Sequence, residues 1–140
     1  MIRIEKEAWQ TMLQHAKATY PRECCGALLG TADARGRHVV IARPMRNAYD
    51  GPQQDSYQLD PTEQLAVEKE ARALGLSVVG IFHSHPDCDA YFSKRDLENS
   101  CPWYSFVVLS IKAGEFDHAK SFLPNFDQTA AEQEPLEYMV

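Results

Sequence analysis

The feature that most constrains this chain is the apolar run Val78-Val79-Gly80-Ile81-Phe82, which leads without a break into His83-Ser84-His85-Pro86. A continuous apolar segment following a helical pattern is what a central strand covered on both faces requires. Around it the chain reads as mixed α/β. From Glu5 to Thr19, Ala8, Trp9, Met12, Leu13 and Ala16 recur at spacings of three and four, which predicts a helix burying one face, and Pro21 stops it. Cys24 to Leu29 predicts a strand closed by Gly30, with His38 to Ala42 as its hairpin partner after Ala34-Arg35-Gly36. Pro44 to Ser56 has breakers and no period, so it reads as a loop. Asp60 as N-cap, Pro61 at the first helical position and Gly75 at the end bound a second helix, whose buried stripe is expected from Leu65, Ala66, Ala73 and Leu74. Ser93 to Ser100 predicts a short helix, and Tyr104 to Ile111 and Glu115 to Phe122 predict further strands.

At 140 residues the chain suits one domain with one dominant core, sufficient without metal or disulfide staples. That domain is expected over residues 1–126. The Gln-, Ala- and Glu-rich stretch 127–140 is expected to be an acidic, poorly ordered tail. Acidic residues number 20 against 14 basic ones, a net charge of −6, which denies the chain the electropositive footprint that nucleic acid requires. The opening MIRIEKEAWQ has no apolar core of a signal peptide, and no apolar run approaches the ~20 residues that cross a bilayer. No membrane partner is expected, and the cytoplasm is the expected compartment. Cys24 and Cys25 are adjacent, and neither Cys88 nor Cys101 forms a C-x-x-C pair, so free thiols are expected rather than a disulfide framework.

The chemistry concentrates in His83-Ser84-His85-Pro86, Ser93 and Asp96. Side chains two apart on a strand leave the same side, so His83 and His85 can offer two imidazoles to one ion. The loop from Pro86 to Phe92 is long enough to fold Asp96 back as a third ligand. Three protein ligands leave a fourth position open, which is the pattern of catalytic zinc rather than closed structural zinc. Each piece also has a plainer reading. A strand-end histidine pair serves as satisfied polar groups near a core edge, and Ser93-Lys94-Arg95-Asp96 fits a helix capping box. Cys88 is a rival third ligand, because thiolate binds zinc well. Glu23, alone before the first strand of the hairpin, reads by itself as a solvated surface residue.

Taken together, Pro21-Arg22-Glu23-Cys24-Cys25-Gly26 with Leu28-Leu29-Gly30, then HSHP, Ser93 and Asp96, resembles the JAMM (MPN+) metalloprotease family. The similarity is greatest to its short bacterial members, which act on ubiquitin-like sulfur-carrier proteins. It extends over roughly Met1 to Phe122 and includes Asn47, Tyr57, Asp60-Pro61 and Pro102-Trp103-Tyr104-Ser105. Phe92 stands where bacterial members often carry proline, and Cys88 adds a thiol; neither removes a functional group.

The resemblance implies a cytidine-deaminase-like α/β/α sandwich with a mixed central sheet. It implies zinc on His83, His85 and Asp96, Glu23 as general acid and base, and Ser93 stabilising the tetrahedral intermediate. It further implies hydrolysis of a peptide or isopeptide bond at the C-terminal Gly-Gly tail of a small ubiquitin-like or sulfur-carrier protein. The chain has no room for the long insertions with which eukaryotic relatives hold ubiquitin. The rival reading is a non-catalytic binding scaffold of the same fold, but such relatives lack the ligand residues that this chain keeps. A zinc nucleobase deaminase would need H-x-E and P-C-x-x-C, and the sequence has neither.

Overall fold

In the computed structural model, which describes residues 1–140, the chain runs β1 (Ile2–Ile4), α1 (Lys6–Thr19), β2 (Cys25–Asp33), β3 (Gly36–Met45), α2 (Pro61–Ala73), β4 (Ser77–Pro86), α3 (Lys94–Glu98), β5 (Ser105–Lys112), β6 (Glu115–Pro124), β7 (Ala131–Glu134) and β8 (Leu136–Tyr138). The strands form one sheet of order β7-β6-β5-β4-β2-β3-β1-β8. β4 is central, parallel to β5 and antiparallel to β2. Neighbouring residues on one strand serve opposite layers: Phe82 packs into the core beneath α1 with Trp9, Met12 and Ala16, whereas Ile81 joins Ala71 of α2 in a second core. The sheet is therefore sandwiched between α1 and α2, the α/β/α layering expected. No helix is long and apolar enough to cross a membrane. All four cysteines are unpaired.

Gly36 closes the β2–β3 hairpin at φ +126°, a conformation that L side chains rarely adopt, and a Cβ there would sit 2.1 Å from Met1 O. Both strands run further than their apolar stretches suggest, because backbone pairing continues to Asp33↔Gly36 after the side chains turn polar.

Two expectations need correction. The buried face of α2 is not Leu65, Ala66, Ala73 and Leu74, all of which are exposed; Ala71 and the half-buried Val67 supply the contact with the sheet. Residues 127–140 are not a loose tail either. β7 pairs with β6 and β8 with β1, so consecutive strands joined by Pro135 alone occupy the two ends of the strand order. The sheet curls until those ends meet, and Ile2 N–H donates to Pro135 O at 3.0 Å. Tyr138 stacks on Trp9 with ring centroids 3.9 Å apart, and the buried Glu134 carboxylate accepts hydrogen bonds from Ser105 Oγ at 2.5 Å and Ser121 Oγ at 2.7 Å. Backbone pairing and these few polar anchors order a segment too polar to build a core of its own.

Candidate metal centre and active site

The C-terminal end of β4 carries His83 and His85 on one side of the strand and Ser84 on the other. Ser84 Oγ accepts from Cys24 N–H at 2.8 Å, which fixes the approach of the chain just before β2. Cys25 lies opposite His83 in the β2–β4 ladder, so Glu23, two residues upstream, arrives at the same end of the sheet.

Asp96 reaches the histidines from α3. Ser93 Oγ accepts from Asp96 N–H at 3.0 Å, and Ser93 N–H donates to Asp96 Oδ2 at 3.0 Å, a complete capping box. The same carboxylate sits 3.2 Å from His83 Nε2 through Oδ1 and 3.1 Å from His85 Nε2 through Oδ2. The capping and ligand readings of Asp96 therefore describe one conformation. Cys88 is exposed and lies outside this group.

The donor set fits a cation. His85 Nδ1 lies 2.9 Å from Asp89 O, so with its ring proton donated there the ring offers Nε2 as a ligand atom. Nε2 faces Asp96 Oδ2 and also His83 Nε2, 3.2 Å away. One ligand atom from each of His83, His85 and Asp96 lies within 4.8 Å of the others, and all three residues are buried. Acceptors converging in a buried space repel one another unless a proton or a metal ion sits among them, and two imidazoles with one carboxylate form a set that could hold a divalent metal.

The electrostatics favour a neutral His83 and an ionised Asp96. Burial pushes the fully enclosed His83 below the ordinary imidazole range, against the pull of Asp96, so it is neutral at pH 7. Burial opposes the charge of Asp96 too, but the two imidazoles outweigh it and hold the carboxyl below the usual range. His83 Nδ1 is buried without a partner. Its ring is held instead by Tyr57, stacked against it at a centroid distance of 4.5 Å.

Glu23 is not a surface residue: it is only 4% exposed, and its Oε1 is buried without a hydrogen-bond partner. Burial first, then the charges of Asp96 and Asp55, push its carboxyl up to about 9, with Arg95 partly opposing them. A group poised in this way is chemically able to hold a proton at neutral pH and give it up on a change of neighbours. Glu23, His85 and Ser93 line one cleft, walled by Asp55, Cys88 and Tyr91.

Three further residues shape the site without any signal in hydrophobic period or ligand spacing. Tyr57 braces His83; Arg95 pairs with Ser56 Oγ and lies 5.4 Å from the Tyr49 ring centroid; Asn47 binds the loop that carries both tyrosines. An asparagine amid turn residues is the one local cue, because its side chain commonly caps its own loop.

The model of a family described as prokaryotic homologs of the JAB domain matches residues 5–122. A desampylase of Haloferax volcanii is 34% identical over 112 residues, covering 76% of this chain and 78% of that protein. A CysO-cysteine peptidase of Mycobacterium bovis is 35% identical over 112 residues, covering 78% of this chain and 73% of that protein. The crystal structure of a JAB1/MPN domain protein from Archaeoglobus fulgidus superposes with a TM-score of 0.64 over 99% of each chain at 17% identity, which establishes a shared fold.

Proposed function

The chain belongs to the family of prokaryotic JAB-domain homologues, and from that membership we propose that it is a zinc metallohydrolase. Its substrate is a small ubiquitin-like or sulfur-carrier protein, cut after the C-terminal Gly-Gly tail at a peptide or isopeptide bond. The names of the relatives, desampylase and CysO-cysteine peptidase, support the substrate class. The observation that carries the reading is the unpartnered, buried Glu23 carboxylate in the same cleft as His85 and Ser93.

In this reading His83, His85 and Asp96 hold the zinc, which when bound would polarise the scissile carbonyl and bring the pKa of water down toward ~7. Glu23, protonated in the metal-free cleft, would ionise beside the cation, take a proton from the attacking water and pass it to the departing nitrogen, the step an amide most needs because an unprotonated amine leaves badly. Its buried position suits it to carry that proton through the reaction. Ser93 Oγ accepts from Asp96 N–H and keeps its own proton free to donate to the developing oxyanion. The reading puts the work in the cytoplasm, on the support of four unpaired cysteines.

The test is to incubate the zinc-loaded protein with a ubiquitin-like carrier extended beyond Gly-Gly by one cysteine and to weigh the products. Loss of the terminal residue, abolished by chelation and by His83→Ala, is the expected result. An intact carrier with one equivalent of zinc bound would return the chain to the binding-scaffold reading.

A further inference from the structure

The Glu23 carboxylate has no protein partner to aim it, since Oε1 is buried without a hydrogen bond. Its direction is set by the Glu23 backbone, and both polar groups of that backbone are tied to one loop. Glu23 N–H donates to Gln53 O at 2.6 Å, and Glu23 O accepts from Asn47 Nδ2 at 3.3 Å.

Asn47 also closes that loop on itself. Its Nδ2 donates to Ser56 O at 3.0 Å, and its Oδ1 accepts from Tyr49 N–H at 3.0 Å and from Gln58 N–H at 3.1 Å. Asn47 and Leu59 form an isolated β-bridge across the base. Gln53, whose carbonyl holds Glu23 N–H, is anchored through its side-chain amide to Asn47 O at 3.1 Å and Tyr49 O at 3.0 Å. The far wall of the loop reaches the metal group: Tyr57 stacks on His83, its carbonyl accepts from Asn99 Nδ2, and Ser56 Oγ accepts from Arg95 beside Asp96. One side-chain amide thus sits between the backbone that aims Glu23 and the wall that braces His83. Asparagine suits this place because its short side chain offers two donors and an acceptor; aspartate keeps the acceptor and loses both donors.

We infer that Asn47 is a positioning residue for hydrolysis, holding Glu23 at its working distance from the His83–His85–Asp96 group through the backbone and the 47–59 loop. The inference rests on Glu23 carrying the proton, as proposed above. It assigns Asn47 no contact with substrate, so its effect belongs to the chemical step. A displacement of ~1 Å in a reacting group costs about 10²-fold.

The experiment is a double-mutant cycle on the zinc-loaded protein, using the Gly-Gly-Cys-extended carrier, with kcat, KM, zinc content and Tm read for each variant. Asn47→Asp keeps the bonds to Tyr49 and Gln58 and removes those to Glu23 and Ser56; Asn47→Ala removes all four. Asn47→Asp is expected to lower kcat about 10- to 100-fold, with KM within about threefold and zinc retained. In the Glu23→Gln background the same change is expected to lower kcat less than about threefold, because a residue acting through Glu23 has nothing left to aim. Should Asn47→Ala fail to fold, the Asp variant carries the test alone. Losses that multiply in the double variant, or wild-type kcat for Asn47→Asp while Glu23→Gln is slow, would overturn the positioning role alone. Wild-type kcat for Glu23→Gln would overturn the proton role itself and the clamp with it.

Discussion

Tyr57 lies against His83 with ring centroids 4.5 Å apart and planes 24° from parallel, and His83 Nδ1, the nitrogen turned away from Asp96, has no hydrogen-bond partner. A metal-ligating histidine ordinarily has its orientation fixed by a hydrogen bond at its second nitrogen. In the proposed centre the face of an aromatic ring takes that place at His83, whereas His85 has a carbonyl partner, Asp89 O at 2.9 Å.

Removing the ring should therefore act on metal binding. Tyr57→Ala is expected to weaken zinc affinity about 10- to 100-fold, the range for losing an outer-shell partner, while Tyr57→Phe stays near wild type. Competition against a chromophoric chelator measures both. Equal affinity for wild type and Tyr57→Ala would show that the ring does not orient His83.

The ligand set predicts a ranking. Asp96→Ala should empty the site, whereas Cys88→Ser should leave zinc content unchanged, because Cys88 is exposed and outside the converging group. Zinc affinity should also fall as pH drops below ~6.5, where protons compete for imidazole; the burial that pushes His83 downward defers its share of that loss to lower pH. Element analysis of the two variants, and a zinc titration from pH 8 to 5, supply the readings. The reverse ranking, or flat affinity across that range, would contradict histidine and aspartate ligation.

Much of this centre is legible in the amino-acid sequence. The apolar run into His83 signals a central strand, and Ser93-x-x-Asp96 signals a helix start, because strand period and capping chemistry are local. The face of α2 is not legible in the same way. Leu65 and Leu74 are nine residues apart, on opposite sides of a helix with 3.6 residues per turn, so they cannot belong to one stripe. The sheet takes Val67 and Ala71 instead. β7 and β8 leave no mark in composition because their order comes from backbone pairing with β6 and β1. The burial of Glu23 is equally hidden: its backbone is tied to Asn47 and Gln53 in a loop without periodicity.

The buried Glu23 carboxyl makes the stability of the metal-free chain depend on pH. Below the unfolded value of 4.5 it is protonated in both states and adds no pH dependence; between 4.5 and about 9 the unfolded chain ionises it and the folded chain does not. The unfolded state then binds fewer protons, so stability falls as pH rises. In chelator, Glu23→Gln should lack this share of the decline and should be more stable than wild type at pH 8. Urea midpoints from pH 5 to 8.5 test it, and parallel slopes would show that Glu23 is not buried in its protonated form.

Ser93 has two tasks that separate by substitution. Ser93→Ala should lose about 1 kcal/mol as an N-cap, whereas Ser93→Gly should lose only a few tenths. Both should retain zinc, because the bond from residue 93 to Asp96 Oδ2 comes from the backbone N–H. Both should lower kcat by about 10²-fold or more through loss of an oxyanion donor. A kcat that followed stability instead of the missing hydroxyl would leave Ser93 as a cap alone.

The most direct test of the account is Glu23→Gln, with zinc content, carrier affinity and cleavage of the Gly-Gly-Cys-extended carrier measured on the same preparation. The amide is nearly isosteric and the carboxyl lies outside the group of three ligands, so zinc and carrier binding should match wild type. Cleavage should fall by the ~10² to 10⁴ that a general acid and base contributes. Cleavage within a few fold of wild type, with zinc in place, would contradict the account.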